Sequence, residues 1–266
     1  MQSIDTSLSA IRSGASLRDG IVEQLDRLQG DVAALRSLVI ATDEHAQRKL
    51  KAGLASAVNL ISVLPQLKIE GVLPPFPHRG FEVSGELAVF LFHLVRRHRP
   101  RLILELGGGS STILFAAALK ANGSGRLISA EHDREHLDRT AQYLRQTELS
   151  DWVELVEAPL VAQRFGDRSL HWYDLARLLR SLSERIDLLF VDGPPGKLQA
   201  LSRYPALPVL LPHLSPHAHV LVDDGRREDE TRMIELWREL NVPFEAEPLG
   251  FLPRGPTLLR MGASES

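Results

Sequence analysis

Leu102-Ile103-Leu104-Glu105-Leu106-Gly107-Gly108-Gly109-Ser110-Ser111-Thr112 is an apolar run that breaks into glycines and then into residues able to start a helix. Residues 102–106 read as a buried strand and residues 111–120 as the helix that follows it. Glycines at such a junction let the backbone turn sharply and bring amide donors up to a ligand at the helix N-terminus. A nucleotide-like cofactor is the natural occupant. A dinucleotide-binding G-x-G-x-x-G would need a further glycine where Thr112 stands, so an NAD-dependent oxidoreductase is the second reading and not the first.

Downstream of this stretch, short apolar runs alternate with amphipathic stretches, the pattern of repeated βα units around a parallel sheet. Strands are expected at 102–106, 126–131, 153–157, 186–192 and 219–223. Helices are expected near 111–120, 135–147, 173–184, 200–211 and 228–240, long enough for the crossovers that parallel strands require. Two last strands, 244–248 and 257–261, are separated by Gly250-Phe251-Leu252-Pro253-Arg254-Gly255-Pro256. That spacer has no room for a helix, so the pair should be an antiparallel hairpin. Residues 158–172 read as a long loop, with His171-Trp172-Tyr173-Asp174 opening a helix that could close over a substrate or equally well pack its aromatics on the sheet.

Upstream, Ser84 is positioned to cap a helix over 85–95, and Arg96-Arg97-His98-Arg99-Pro100-Arg101 supplies positive charge at its C-terminus. Pro74, Pro75 and Pro77 mark 71–78 as a linker. Before it, 52–64 reads as an apolar helix, and Ile21, Leu25, Leu28, Val32, Leu35 and Val39 make a short heptad-like stripe of coiled-coil type. The stripe suits a homodimer or packing onto the same chain equally well. The expected domains are therefore 1–78, an N-terminal helical region with linker, and 79–266.

The 266 residues allow one large α/β domain plus an appendage, and 44% apolar content supports a sizeable core. A net charge of -3 gives no general attraction to nucleic acid. With no cysteine in the chain, disulfides, thiolate metal sites and cysteine nucleophiles are excluded. The N-terminus lacks a secretory pattern, and the longest apolar run, 87–95, is too short to span a bilayer, so a cytoplasmic protein is expected.

Glu131 ends the strand after the glycine loop, where a carboxylate can accept two hydrogen bonds from a ribose. Asp133 beside it is a candidate cap for the next helix. Together with Ile128-Ser129-Ala130-Glu131-His132-Asp133, Leu188-Leu189-Phe190-Val191-Asp192-Gly193-Pro194-Pro195 and Val220-Leu221-Val222-Asp223-Asp224, the opening stretch resembles the class I S-adenosylmethionine-dependent methyltransferases. The resemblance covers 81–261, in particular the branch related to catechol O-methyltransferase and to bacterial enzymes associated with sugar modification. It implies an α/β, Rossmann-like, seven-stranded, mostly parallel sheet whose last strand is antiparallel. It also implies S-adenosyl-L-methionine as cofactor and O-methylation of a small polar acceptor, such as a sugar or glycoconjugate precursor. Carried over by position, Glu105, Gly107, Gly108, Gly109, Ser110, Ser111 and Thr112 would line the methionine part. Glu131 would hold the ribose, Glu157 and Ala158 would lie by the adenine, Asp192 would face the reacting centre, and His132 and Gly193 would also bind the cofactor.

Methyl transfer to a hydroxyl needs the reactants held in line and a group to take the proton. In the catechol-type enzymes two aspartates and an asparagine hold magnesium, and a lysine acts as base. Asp192 and Asp224 match the aspartates. Gly225 stands at the asparagine position, and Lys197 lies two residues beyond the family lysine. Two carboxylates plus waters would hold magnesium only loosely. Asp223 is expected to be a poor substitute, because neighbouring strand residues point to opposite faces unless the strand has ended. Candidates for the base are Asp192, Asp224 and Lys197, then His132 and His171. Arg226 and Arg227, and more weakly Arg203 and Tyr204, could receive an anionic group of the acceptor, but acids in the following helical turn favour a solvated helix start. A third reading keeps the sheet as a degenerate scaffold for an oligomerising helical region.

Overall fold

The computed structural model describes residues 83–262. The heptad-like stripe, the helix expected at 52–64 and the linker at 71–78 lie outside the described residues. Seven strands form one sheet: β1 (Leu102–Leu106), β2 (Arg126–Glu131), β3 (Val153–Glu157), β6 (Ile186–Val191), β7 (Leu214–Val222), β8 (Phe244–Pro248) and β9 (Thr257–Met261). Their order is β3-β2-β1-β6-β7-β9-β8, and β9 is antiparallel to both of its neighbours. The chain builds outward from β1 through β2 to β3, then returns to the other side of β1 as β6. That reversal is a topological switch point, and ligands of open parallel sheets bind beyond the strand C-termini there.

β1 is buried along its whole length, and its alternate residues serve opposite faces. Leu102, Leu104 and Leu106 join Ile128, Leu189, Met233 and Trp237 in one layer. Ile103 joins the other, with Leu91 and Val95 of α1 (Gly85–His98) and Leu114 and Phe115 of α2 (Ser110–Asn122). Ser84 caps α1 by accepting from the Leu87 amide, and Asp133 caps α3 (Arg134–Gln146) by accepting from that of His136. α6 (Glu228–Arg238) opens on three acids in its first turn. Among the described residues no helix is long and apolar enough to cross a membrane.

Several expectations are corrected. Residues 158–172 are not a long loop: β4 (Leu160–Phe165) and β5 (Arg168–Tyr173) form a separate antiparallel hairpin around Gly166-Asp167. Gly166, at φ 62, supplies the left-handed turn residue, and a Gly-Asp pair between two β-rich runs is the signal that marks it. Tyr173 therefore ends a strand, and the helix expected at 173–184 is only α4 (Leu175–Arg180), capped by Asp174. The helix expected at 200–211 shrinks to α5 (Ala206–Leu210), because Pro205 biases the residue before it away from helical backbone. β7 starts earlier than expected and stops at Val222, which leaves Asp223 outside the strand.

Candidate active site

Glu105 sits on the face of β1 that meets α2, and it is fully buried. Its carboxylate accepts from Ser111 Oγ at 2.5 Å, Thr112 Oγ1 at 2.5 Å and Ser129 Oγ at 2.6 Å. Thr112 Oγ1 in turn accepts from the Gly109 amide at 2.9 Å, so the loop is tied to a buried anchor. Burial pushes the Glu105 carboxyl up to about 7, against the pull of the three hydroxyls. Ser110 is occupied elsewhere, accepting from the Val83 amide at 3.2 Å. Gly107, at φ +92, passes so near the end of β6 that a Cβ would lie 2.9 Å from the Gly193 nitrogen. A Cβ on Gly108 would lie 2.6 Å from Ser129 Oγ.

Above the strand ends opens a cleft of about 980 Å³. Of the residues expected at the site, Gly107, Gly108, Glu131, His132, Asp192, Gly193, Lys197 and Asp224 line it. Glu105, Ser111 and Thr112 lie buried beneath its floor. Ala158 is buried at the end of β3, its amide donating to the Glu131 carbonyl at 2.9 Å, and Glu157 pairs with Arg134 at 3.0 Å. His171 forms backbone bonds with the Gln199 side chain and is not among the lining residues.

Glu131 Oε1 accepts from the amides of His132 and Asp133, both at 2.7 Å, and lies 2.7 Å from His132 Nδ1. Three groups thus converge on one oxygen and fix the carboxylate, with Oε2 outside that set. The Glu131 carboxylate beside it outweighs burial and raises the His132 pKa. Tyr173 crosses from the β4–β5 hairpin to the cleft wall, its hydroxyl buried with no hydrogen-bond partner. Burial, then Glu131, pushes that hydroxyl well above its usual range, so it stays a donor. The sequence reading puts Tyr173 at the start of a helix over the substrate; the structure puts it at the end of β5.

The other half of the cleft is an acidic cluster laced with arginines. Because β7 ends at Val222 and Asp224 takes φ 56, Asp223 and Asp224 both turn toward Asp192, and carboxylate oxygens of all three lie within 4.8 Å of one another. Arg203 runs between them, its Nη2 at 3.1 Å from Asp192 Oδ1 and 3.5 Å from Asp224 Oδ2, and its Nη1 at 3.5 Å from Glu230 Oε1. Arg227 reaches Asp224 at 2.9 Å, and Arg254 stands 3.9 Å from both Asp223 and Asp224. Burial, then the nearby Asp223, drives the Asp192 pKa well above the carboxylate range. Burial, then Asp224, also raises that of Asp223, whose oxygens have no hydrogen-bond partner. Arg226 and Arg227 line the cleft as well as starting α6.

Residues 104–225 match the protein family described as a methyltransferase domain. No curated protein matches the chain. Among solved structures, an O-methyltransferase from Bacillus cereus in complex with SAH is similar at TM-score 0.52 and 20% identity, over 77% of this chain and 90% of that one. A putative O-methyltransferase from Klebsiella pneumoniae is similar at TM-score 0.52 and 20% identity, over 88% and 97%. An SAH-bound methyltransferase from Podospora anserina aligns at TM-score 0.53 and 15% identity, over 76% and 87%. At these identities the likeness is one of fold, and the order and sense of the strands agree with it. Residues 104–225 thus match a methyltransferase domain, and the strand order and sense give the chain the fold of the solved methyltransferases it resembles.

Proposed function

We propose that the protein is an S-adenosylmethionine-dependent O-methyltransferase that acts on a small polar acceptor. The observation that carries this is the convergence on one cleft of a fixed Glu131, a glycine turn with no room for side chains and an unpartnered Tyr173 hydroxyl. These suit an adenosine bearing a charged tail. Glu131 Oε2 is assigned to the ribose, the loop at Gly107 and Gly108 to the methionine part and the Tyr173 hydroxyl to a polar atom of the same molecule. S-adenosylmethionine, when bound, supplies an electrophilic methyl group on a sulfonium. Similarity to solved structures whose titles name O-methyltransferases supports oxygen as the accepting atom.

Asp192 then faces the acceptor. Its Oδ1 is held by Arg203, which leaves Oδ2 as the atom we assign to receive the hydroxyl proton. Burial and then Asp223 raise its pKa, and a carboxylate of raised pKa is the stronger base. Asp224, gripped by Arg203 and Arg227, is assigned to holding those arginines in place, and Lys197 to the acceptor wall. Lys197, Arg226, Arg227 and Arg254 make that wall polar and cationic, which fits a sugar or glycoconjugate precursor better than an apolar ring. The division into a helical region, 1–78, and a catalytic region, 79–266, belongs to the same proposal, as does assembly through the heptad-like stripe.

Calorimetric titration with S-adenosylhomocysteine and with NAD tests the reading. Binding of the first and not the second is expected. NAD binding alone would restore the oxidoreductase reading, and binding of neither would favour the scaffold reading.

A further inference from the structure

The resemblance to catechol-type enzymes implies a divalent cation at the acidic cluster, and the residues present do not fit one. Distance alone allows it, since Asp192, Asp223 and Asp224 offer oxygens within 4.8 Å of one another. The place between Asp192 and Asp224 is already taken. Arg203 Nη2 touches both, and the guanidinium also donates to the backbone carbonyls of Asp192 at 2.6 Å, Asp223 at 3.1 Å and Pro194 at 3.3 Å. Its side chain is 4% exposed, so these contacts are made largely shielded from bulk water.

Charge points the same way. Four carboxylates, Asp192, Asp223, Asp224 and Glu230, face three guanidiniums, Arg203, Arg227 and Arg254, so little negative charge remains to hold a dication. A third side-chain ligand from Gly225 is closed off as well. A Cβ there would lie 2.6 Å from the Gly255 carbonyl and 2.6 Å from Thr257 Oγ1, so this backbone cannot accept an asparagine at the position.

We propose that Arg203 is the resident cation of the cluster, and that it holds Asp192 and Asp224 in the positions a divalent metal would otherwise set. A guanidinium is suited to this because its planar fork makes several charge-assisted bonds and does not lose its proton. Arg203 is thereby a positioning residue, acting on the acceptor through Asp192. The functional meaning of this rests on the methyl-transfer reading, but the presence or absence of a metal site does not.

Electron paramagnetic resonance of Mn²⁺ added to the full-length protein tests the proposal. The wild-type chain is expected to leave the free-ion signal unchanged. Arg203→Met, which removes the charge and keeps the stem, is expected to take up one Mn²⁺ per chain, and Arg203→Lys to exclude it again. Stoichiometric uptake by the wild type that Asp192→Asn abolishes would overturn the proposal, as would an Arg203→Met variant with native circular dichroism that still excludes Mn²⁺. If Arg203→Met does not fold, the wild-type titration still decides. S-adenosylhomocysteine titrated into the same proteins reports separately on the methyl-transfer reading, since its binding half of the cleft is built from other residues.

Discussion

At the scale of single residues, the strongest statements concern groups whose partners are fixed. Glu131 Oε1 accepts from two amides and lies against His132, so its replacement removes a positioned acceptor. Glu131→Ala should weaken S-adenosylhomocysteine binding by about 1.5–3 kcal/mol, the usual worth of a hydrogen bond to a charged group, measured by calorimetry. An affinity within twofold of wild type would remove Glu131 from the pocket. Gly193 is a second such residue. A Cβ there would press on the Tyr173 hydroxyl and lie 3.0 Å from Gly107 Cα. Gly193→Ala should therefore cost about 1–3 kcal/mol of stability in urea unfolding through overpacking, and lower cofactor affinity as well. Glu131 was legible from the βα pattern, and Gly193 from the resemblance carried by residues 188–195. Arg203 and Tyr173 were legible only as weak candidates for contact with the acceptor, because the partners that place them lie far away along the chain.

At the scale of elements, the strand–loop–helix unit around Glu105 behaves as one device. The carboxylate ties the end of β1, the first turn of α2 and Ser129 of β2 together. Glu105→Ala leaves three buried hydroxyls without their acceptor, and should destabilise the fold by about 2–4 kcal/mol by chemical denaturation. The pH dependence has a definite sign. The folded carboxyl keeps its proton to about pH 7, whereas the unfolded one loses it near 4.5. The folded state therefore binds more protons in that window, and this group's contribution to stability falls as pH rises from 4.5 to 7. Glu105→Gln should remove that slope, and an unchanged slope would mean that the carboxyl is ionised when folded. The β4–β5 hairpin is the element that the sequence reading missed. Its Gly166-Asp167 turn is visible in the chain, but its alternation is blurred because Val161 is exposed while Trp172 and Tyr173 are buried.

For the molecule as a whole, a second titrating contact lies toward the opposite edge of the sheet. His98 at the end of α1 and His219 in β7 stack with ring centroids 4.2 Å apart, beside Arg260. Burial, then His98, lowers the His219 pKa from 6.5 to about 4. Here the unfolded chain binds more protons between those values, so stability is full above 6.5 and is lost as pH falls toward 4. His219→Gln should flatten that acid limb in thermal unfolding while leaving S-adenosylhomocysteine affinity at neutral pH unchanged, because the pair lies outside the cleft. A variant as acid-sensitive as the wild type would place the acid lability elsewhere.

The sequence by itself determined the seven strands, the glycine turn after β1 and the closing antiparallel pair, because each is written in local periodicity and in residues with few allowed backbone conformations. It also placed Glu131 and Asp192 at strand ends, which a parallel sheet gathers on one edge. Only the tertiary structure decided what those carboxylates meet. That β7 stops at Val222 and turns Asp223 and Asp224 together depends on pairing with β6 and β9, and that Arg203 lies among them depends on how residues 194–205 fold back. Charge compensation is a property of distances in space, and a chain in which Arg203 and Asp224 stand 21 residues apart carries no local mark of it.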